Sequence, residues 1–593
     1  MKYTADFETT TDLKDCRVWA WAICTIDDKF RIEDGISIES FIERWKNSKG
    51  DSVYFHNLKF DGESILYHLL KNGWKVAIDE KHLVDNSILT LISDMGLFYT
   101  MELIFKVDNK GKKSRFIKIY DSLKILPFSV EKVAKSFNLE ISKLSIDYSE
   151  YREVGHELTD KEREYVHTDV LIMAKALKQV FDGGLAQMTQ GSNALHDYKE
   201  ITGKNFKKLF PVLDYEIDKD IRKSYKGGFC YANPKFAGKE IGEGIVLDVN
   251  SLYPSVMRYK LLPYGEPVGF EGKYQYDKWY PLYTQWLYCE FKLKAGYIPT
   301  IQLKSYGDRF KPNDYLVDNG FEPVWLCLTS VDLELFFEHY EVNVIEWRGG
   351  WKFKAAYGLF DEYVDKWVEV KNKATIDGNE GQRTLAKLML NSLYGKFALN
   401  PDVRSKIPYL DYEKDKVAYR LGEPEQREGI YIPMGSFITS WARWTTITAA
   451  QKVFDRFLYA DTDSLHLIGL DEPEGLEIDP VKLGAWKHES TFSRGKYLRQ
   501  KCYIEEINGK LKITCAGMPS RCYDGIELSE NGEFFTINNK DILIKKNDVL
   551  PKNVFNGVTW DNFEFGNTFL GKLRPTHTGG GIVLVNTVYT LKK

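Results

Sequence analysis

The sequence has little of what marks a secreted, membrane-embedded or disulfide-stabilised protein. Its 8 cysteines among 593 residues are scattered and form no C-x-x-C pair, so neither a structural zinc site nor a disulfide framework is expected. The N-terminal stretch MKYTADFETTTDL lacks the apolar segment of a signal peptide, and no run is apolar and long enough to span a bilayer. We therefore expect a protein of a reducing, aqueous compartment, a cytoplasm.

The sequence also lacks a strong charge of either sign, internal repeats and low-complexity tracts. With a formal net charge of −4 it has no overall electrostatic signature of nucleic-acid binding, so basic clusters must be judged one by one. A chain of 593 residues is too long for one hydrophobic core, and its 43% of hydrophobic residues fits several globular domains. Aromatic residues make up 14% of the chain, which suits either base stacking or core packing.

The stretch LYADTDSLHL places Asp461 and Asp463 two positions apart among apolar residues. In an extended chain such residues share a face, so two like charges lie close together in a partly buried setting, at a cost in free energy. One interpretation is a hairpin tip, because Asp, Thr and Ser suit turns. The other is a divalent cation whose charge reverses the cost, and it requires further carboxylates elsewhere in the chain.

An N-terminal block supplies such carboxylates. Asp6 and Glu8 in YTADFETTT are again two positions apart, and Asp61 follows the β-prone run VYFHNLKF. The stretch LTDKEREYVHTDVLIMAKAL has helical apolar spacing and puts Tyr165 and Asp169 on one face. Hard divalent cations prefer oxygen ligands, and two of them suit attack of a water on a phosphodiester, with Tyr165 orienting that water. The alternatives are a solvated strand for the acidic pair and simple packing for the tyrosine.

A second cluster follows. In GEGIVLDVNSLYPSVM a β-branched run leads into Asp248 and a turn, which predicts a strand end that faces a cavity. The stretch QRTLAKLMLNSLYGKFA is a helical pattern broken at Gly395, with polar residues opposite much of a Leu/Met stripe. A basic helix face opposite paired carboxylates suits a nucleoside triphosphate, and a solvated helix face is the alternative. The residues of that face are Gln382, Arg383, Lys387, Asn391 and Tyr394, with Lys371 on the preceding predicted helix.

Taken in order, these stretches resemble a known family. DVNSLYP, KLMLNSLYG and YADTDS resemble motifs A, B and C of family B DNA polymerases, and DFET, NLKFD and YVHTD resemble the three motifs of their 3′–5′ exonuclease. SYKGGF resembles the Y-x-G-G motif between the two parts, and LRQKCY the K-x-Y motif. The small size and the long intervals between motifs narrow the resemblance to the protein-primed branch, the phage replicases of the phi-twenty-nine type.

The resemblance implies an α/β multidomain fold, with a 3′–5′ exonuclease domain on an RNase H-like mixed sheet and a right-hand polymerase of palm, fingers and thumb. One terminal-protein region would help to dock a priming protein, and the other would close a ring around template and product; simple loop decoration is the alternative for both. The expected boundaries are 1–188 for the exonuclease, 189–260 and 428–530 for the palm, 261–359 and 398–427 for the two insertions, 360–397 for the fingers and 531–593 for the thumb.

The resemblance also implies roles in the polymerase site. Asp248 and Asp463, with the carbonyl of Val249, would hold two Mg²⁺ ions, with Mn²⁺ as a substitute, and Asp461 would be important without necessarily being a ligand. Tyr253 would lie under the sugar, where it would exclude a ribose 2′-hydroxyl. The triphosphate and base would contact Lys371, Arg383, Lys387, Asn391 and Tyr394, and the primer terminus would contact Lys501 and Tyr503.

In the exonuclease, Asp6, Glu8, Asp61 and Asp169 would hold two further metal ions, and Tyr165 would orient water. Lys143 stands where the family has an auxiliary catalytic lysine. His56 matches a DNA-gripping position, although a core histidine is an equally good interpretation. The frayed single-stranded 3′ end would contact Thr9, His56, Asn57 and Phe60, and the balance between synthesis and editing would depend on Tyr225, Gly227 and Gly228.

The function implied is that of a DNA-directed DNA polymerase, protein-primed, processive and strand-displacing, which replicates a linear phage genome in the host cytoplasm and proofreads its product. Its expected partners are primer-template DNA, single-stranded DNA, deoxynucleoside triphosphates and a separate terminal protein, bound by a monomer. A stand-alone exonuclease would have no need of Asp248 and Asp463. Tyr253 and the proofreading block argue against an RNA or reverse-transcribing polymerase, and the full set of acidic residues argues against an inactive variant.

Overall fold

The computed structural model describes residues 1–148, 150–303, 314–320 and 322–593. The expected first insertion, 261–359, therefore includes residues 304–313 and 321, which lie outside the described residues. In the described ranges, no helix combines the length and the apolar character needed to cross a bilayer.

The N-terminal part is a mixed sheet with helices on both faces. The strand order is β3-β2-β1-β4-β8-β7-β6-β5, and β1 pairs antiparallel with β2 and parallel with β4. Helix α4 packs on one face, where its apolar stripe meets β2, and α1 and α2 cover the other. Thr159 caps α4 in a capping box with Glu162. The elements are β1 (Lys2–Thr9), β2 (Val18–Thr25), β3 (Ile32–Gly35), α1 (Ile38–Trp45), β4 (Lys49–Phe55), α2 (Lys59–Lys71), β5 (Lys75–Ala77), β6 (Ser87–Ile92), β7 (Phe98–Val107), β8 (Lys113–Asp121), α3 (Val130–Ser136) and α4 (Asp160–Asp182).

The next segment leads to the first expected insertion, which forms a sheet of its own in the order β12-β15-β13-β14. Helix α9 packs against this sheet and buries Leu333 and Phe336 in their common core. The elements are α5 (Gln190–Thr202), α6 (Phe206–Leu209), α7 (Tyr215–Ile221), β9 (Cys230–Ala232), β10 (Glu240–Ile241), β11 (Gly244–Val249), α8 (Leu252–Tyr259), β12 (Leu262–Glu271), β13 (Leu282–Leu293), β14 (Val324–Thr329), α9 (Ser330–His339) and β15 (Tyr340–Ala356).

The segment expected as fingers is a helix pair, α10 (Asp361–Ile376) and α11 (Glu380–Ser392), followed by the short α12 (Tyr394–Phe397). The predicted break at Gly395 is misplaced: α11 ends at Ser392, and Gly395 lies within α12. Leu393 lies between the two helices, is fully buried and keeps a right-handed helical backbone (φ −71°, ψ −49°).

The second expected insertion is a pair of nested hairpins, β16 (Asp402–Val403) with β19 (Glu425–Gln426) and β17 (Lys406–Asp411) with β18 (Lys416–Leu421). The stretch EKDK lies at the tip of the inner hairpin. Leu410 and Val417 join the core of the N-terminal part, so this hairpin is docked there.

The central sheet, β22-β11-β21-β20-β9, carries the second group of carboxylates, and a neighbouring sheet has the order β10-β23-β24-β25. Helix α13 packs behind the central sheet. The elements are α13 (Ile432–Lys452), β20 (Phe457–Asp461), β21 (Ser464–Ile468), β22 (Trp486–Phe492), β23 (Arg494–Arg499), β24 (Cys502–Ile507) and β25 (Lys510–Cys515).

The C-terminal part is built mainly from β-strands. A long hairpin, β29 (Thr568–Thr578) with β30 (Gly581–Thr590), belongs to a sheet in the order β27-β26-β30-β29-β28. The hairpin tip reaches back to the N-terminal part, where a side chain on Gly580 would overlap the carbonyl of Cys16. The other elements are α14 (Arg521–Asp524), β26 (Glu533–Ile537), β27 (Lys540–Ile544) and β28 (Val554–Phe555).

Both hairpins meet on helix α2 at a buried carboxylate. Glu63 is fully buried and accepts a short hydrogen bond from the hydroxyl of Tyr419 on β18. Its other oxygen lies 2.5 Å from Nδ1 of His577 on β29. The second insertion and the C-terminal hairpin therefore share one contact on the N-terminal part, the side chain of Glu63.

Candidate active sites

The N-terminal carboxylates converge although they come from distant parts of the chain. Asp6 and Glu8 lie on β1, and Asp61 lies in the first turn of α2, where it accepts a hydrogen bond of 3.1 Å from the backbone N–H of Phe7. Asp169 comes from α4 on the face that packs against β1 and β2. The structure thus brings together the four carboxylates that the sequence analysis grouped.

Burial and mutual repulsion make this cluster costly when it is ionised. Burial, and then the charge of Asp169, raises the pKa of Asp6 to about 7. Burial and the charge of Asp6 raise the pKa values of Glu8 and Asp61 well above their usual range. Burial also raises the pKa of Asp169, partly offset by Lys143. Such a cluster favours a bound proton or a cation.

Three further side chains complete the cluster. Lys143 Nζ lies 2.6 Å from Asp169 Oδ2, which puts the predicted auxiliary lysine beside the carboxylates. The hydroxyl of Tyr165 lies 2.9 Å from that of Tyr148, which also hydrogen-bonds Glu8. Tyr148 was not predicted from the sequence, because it lies in a loop without a periodic pattern and only tertiary contacts reveal it.

The residues expected to grip a single strand lie at the edge of the same cluster. Asn57 has a left-handed backbone (φ 71°), held by a hydrogen bond from its N–H to the buried carboxylate of Asp121. Thr9 ends β1 after a register shift, and Phe60 is half-buried at the start of α2. His56 is occupied inside the protein: Nε2 lies 2.6 Å from the carbonyl of Phe128.

The other ring nitrogen of His56 lies 3.0 Å from the hydroxyl of Ser122. Burial lowers the pKa of His56, so the neutral ring donates from Nε2 to the carbonyl. These contacts favour the core-histidine interpretation over direct contact with DNA, while Thr9, Asn57 and Phe60 stay predictions.

The second group of carboxylates lies at the ends of neighbouring strands in the central sheet. LYADTDSLHL is a hairpin, so the turn interpretation of its local structure is confirmed, and the left-handed Thr462 (φ 60°) makes the turn between Asp461 and Asp463. Strand β11 pairs with β21 so that Asp248 lies opposite Ser464. The N–H of Val249 donates to the carbonyl of Asp463 at 2.8 Å. The two strand ends thereby bring the acidic residues of motifs A and C together.

Lysines neutralise this group in part. Burial, and then the charge of Asp248, raises the pKa of Asp463 to about 6. Lys501 Nζ lies 2.6 Å from one oxygen of Asp461 and 2.8 Å from the other. Lys487 Nζ lies 3.1 Å from Asp248 Oδ2. Lys501 was predicted from the sequence. Lys487 was not, because its place beside Asp248 depends on strand pairing.

The Y-x-G-G loop lies directly behind the hairpin turn. The N–H of Thr462 donates to the carbonyl of Phe229 at 2.6 Å, and a Cβ on Gly228 would lie only 2.7 Å from Thr462 Oγ1. Close approach therefore requires the absence of a side chain at Gly228. Tyr225 is half-buried beside this loop.

A buried ion pair holds the same loop in place. Arg443 on α13 donates from Nη1 to the carbonyls of Lys226 and Gly227, at 2.7 and 2.8 Å. Its Nε and Nη2 bind the carboxylate of Asp332 on α9, with a shortest distance of 2.6 Å. Neither residue was found in the sequence analysis, since each sits alone in an ordinary helical pattern.

The residues expected to bind a nucleotide face the carboxylates from the helix pair. Burial, and then the charges of Lys387 and Arg383, lowers the pKa of Lys371, so the three cations share one region. Tyr253 and Tyr394 stack with ring centroids 3.9 Å apart and planes 16° apart. Asn391 is exposed on α11, one turn before that stack. The structure therefore groups the cationic and aromatic residues that the sequence analysis predicted.

Tyr503 lies in a buried aromatic cluster with Tyr459 and Tyr497, beneath the hairpin turn. The N–H of the adjacent Lys501 donates to the hydroxyl of Tyr459 at 3.0 Å. Contact of Tyr503 with a primer stays a prediction, and the observed role of its ring is packing.

The donor atoms at both sites suit hard divalent cations. Carboxylate oxygens are the ligands that Mg²⁺ and Mn²⁺ prefer, and Asp169 Oδ1 is buried without a hydrogen-bond partner. As the side chains stand, no three His, Cys, Asp or Glu residues of the described ranges converge on a single ion. Lys143, Lys487 and Lys501 each form an ion pair with a carboxylate of these groups.

Known phage DNA polymerases are similar to this chain along its whole length. Residues 42–159 and 147–479 match the family described as DNA polymerase type B, organellar and viral. The chain is 47% identical to the DNA polymerase of Bacillus phage phi29 over 100% of this chain and 99% of that protein. It is 46% identical to the DNA polymerase of Bacillus phage M2, with the same coverage, and 30% identical to that of Streptococcus phage Cp-1 over 100% of this chain and 98% of that protein.

Solved structures show the same similarity in the fold. The fold matches phi29 DNA polymerase complexed with primer-template DNA, with a TM-score of 0.88 and 44% identity over 100% of both chains. A ternary complex of that polymerase, with primer-template DNA and incoming nucleotide substrates, matches equally, with a TM-score of 0.88.

Proposed function

Because this chain belongs to the type B DNA polymerases of viruses and organelles, and replicates DNA as a polymerase of the phi29 type, we propose that it is protein-primed, processive and strand-displacing and that it proofreads with a 3′–5′ exonuclease. Its substrate would be a linear phage genome in the host cytoplasm, and it would act as a monomer. The domain boundaries given above, including the two insertions, belong to the same proposal.

In the polymerase site, Asp248 and Asp463, with the carbonyl of Val249, would hold two Mg²⁺ ions, or Mn²⁺ in their place. When bound, such ions would stabilise the negative charge that develops during attack of the primer 3′-hydroxyl on the triphosphate. Lys371, Lys387 and Arg383 would neutralise the phosphates, because their charges already share one region.

The stacked pair Tyr253 and Tyr394 would form the wall against which the incoming sugar and base are placed. Because the two rings stack on each other, they would resist displacement, and a ribose 2′-hydroxyl would clash with them. Asn391 would lie at the rim of this pocket, and Lys501 with Tyr503 would position the primer terminus beside Asp461.

In the exonuclease site, the four N-terminal carboxylates would hold metal ions of the same kind. Tyr165 would orient the attacking water, and Tyr148 would fix the Tyr165 hydroxyl, to which it is hydrogen-bonded. Lys143 would stabilise charge at the scissile phosphate. Thr9, Asn57 and Phe60 would hold the unpaired 3′ end, and Tyr225, Gly227 and Gly228 would influence its transfer between the sites.

Processivity and strand displacement would come from a ring around the DNA. The second insertion and the C-terminal hairpin both contact helix α2 through Glu63. These contacts would complete the ring. If this ring seldom opens, the enzyme would stay on its template. For initiation, a hydroxyl of the separate terminal protein would take the place of the primer hydroxyl at Asp248 and Asp463.

One observation carries the proposal: motifs A and C bring Asp248 and Asp463 to one sheet edge opposite a cationic helix face. The test is rolling-circle extension of a primed single-stranded circle with Mg²⁺ and deoxynucleotides. Products longer than the circle are expected from the wild type and from the control Asp471→Asn, and none from Asp463→Asn. A wild type that only shortens the primer would refute the polymerase assignment.

A matched experiment addresses editing. Asp6→Ala should abolish degradation of a single-stranded oligonucleotide while extension of a paired primer persists. Loss of both activities in Asp6→Ala would contradict separate sites.

A further inference from the structure

Lys487 lies beside a proposed metal ligand without a part in the function described above. It is on β22, directly opposite Asp248 in the antiparallel pairing of β11 with β22. Side chains that face each other in such a pair project from the same face of the sheet. The ammonium nitrogen lies 3.1 Å from Asp248 Oδ2, and the two side chains are 32% and 26% exposed.

A second carboxylate is within reach of the same ammonium. Glu489 Oε2 lies 3.3 Å from Lys487 Nζ. The register of β22 shifts between Val246 and Leu247, so that Ser490 and His488 take the paired positions and Glu489 is the extra residue of a β-bulge. Lys487 therefore has an alternative partner that takes no part in the proposed metal site.

The position of Lys487 also links the two charged groups of the site. Its charge acts on Asp248 and Asp463 on one side and on Lys371 on the other. A divalent ion that binds Asp248 must compete with this ammonium, because one carboxylate oxygen cannot hold both at full strength.

The fold does not depend on the ion pair. Strands β11 and β22 pair along Gly244–Val249, and β22 is anchored at its ends by the buried Trp486 and Phe492. A partly exposed ion pair contributes little to stability beside such a ladder. Lys487 is therefore not needed to hold the two strands together.

We propose that Lys487 is a resident cation of the polymerase site, which neutralises Asp248 until a divalent ion displaces it and its ammonium turns to Glu489. The inference rests on the proposed role of Asp248 as a metal ligand. Its consequence is that Lys487 weakens metal binding in the absence of nucleotide, and so makes loading of the site depend on the additional phosphate ligands.

The test measures Mn²⁺ binding from the electron paramagnetic resonance signal of free Mn²⁺, in full-length protein that carries Asp6→Ala and Asp169→Ala to remove the exonuclease ligands. Lys487→Met should bind Mn²⁺ about two- to fivefold more tightly, the range that a partly exposed ion pair is worth. Lys487→Arg, which keeps the charge, should bind as the parent does. Lys482→Met is the matched control, because Lys482 pairs with Glu477 away from the carboxylates.

Unchanged or weaker binding in Lys487→Met, or tighter binding in Lys482→Met as well, would overturn the inference. Asp248→Ala in the same background separates it from the proposed function. If Asp248→Ala abolishes the binding and Lys487→Met does not tighten it, only the role of Lys487 is wrong. If Asp248→Ala leaves binding unchanged, the metal assignment is wrong and the inference falls with it. Equal unfolding temperatures would show that Lys487→Met is folded.

Discussion

The buried carboxylate of Glu63 should decide how long the polymerase stays on its template. Glu63 is the side chain on α2 that accepts from Tyr419 of the second insertion and contacts His577 of the C-terminal hairpin. If the ring around the DNA opens by separating these elements, weakening the two contacts should raise the rate of opening. The change Glu63→Gln keeps the shape of the side chain and removes its charge.

The size of the effect follows from the hydrogen bonds. Bonds to a charged group contribute about 1.5–3 kcal/mol each and neutral ones about 0.5–1.5, so two bonds should lose roughly 2 kcal/mol. That is about a 30-fold shift toward the open ring, since about 1.4 kcal/mol corresponds to a factor of ten. The contact of Tyr67 with Asp415, at 2.9 Å, remains and keeps the second insertion attached, which makes 30-fold an upper bound.

The assay is synthesis on a primed circle after addition of a DNA trap that captures any enzyme that dissociates. Glu63→Gln should give products several-fold shorter than the wild type, with normal filling of a short gap and normal degradation of single-stranded DNA. Glu43→Gln is the control, because Glu43 is 70% exposed and pairs with Lys46, just after the end of its own helix. Full-length products in the presence of the trap would refute the reasoning, and so would a loss of gap filling.

Two further predictions test local geometry. Gly228→Ala should reduce primer extension at least tenfold while exonuclease activity persists, because a Cβ 2.7 Å from Thr462 Oγ1 must displace the turn that carries Asp463; unchanged extension would contradict that contact. Burial raises the pKa of Glu162, but hydrogen bonds from His156, the Thr159 cap of α4 and Arg152 outweigh it and lower that pKa from 4.5 to about 2. The stabilising contribution of the carboxylate is therefore complete above pH 4.5 and is lost as the pH falls toward 2. Glu162→Gln should therefore lower the unfolding temperature at pH 7, with a difference that narrows between pH 5 and pH 3 in calorimetry; a constant difference would show that the charge is not responsible.

Local patterns in the sequence predicted several elements well. The alternation and turn residues of LYADTDSLHL predict a hairpin, and the i, i+4 spacing of Tyr165 and Asp169 puts both on one face of α4. These are short-range properties, determined by the period of each element. The misplaced helix break at Gly395 shows the limit, because α11 ends earlier, at Ser392, and Gly395 lies within α12.

The candidate sites were predictable in part. Local spacing named the carboxylates of both sites and the cationic helix face, and their order along the chain then resembled that of a family. Tyr148, Arg443 and Asp332 were not, since a loop tyrosine or a single charge in a helix has no distinctive pattern. Their importance is evident only from the atoms that they contact.

The sequence by itself determined which side chains are present and which face of a strand or helix each occupies. It determined, for example, that Asp461 and Asp463 flank a turn. Only the tertiary structure decided that Lys487 faces Asp248, and that Glu63 meets His577 more than 500 residues later. Strand register and the docking of distant hairpins follow from burial of whole surfaces, which depends on all elements together and on no local stretch.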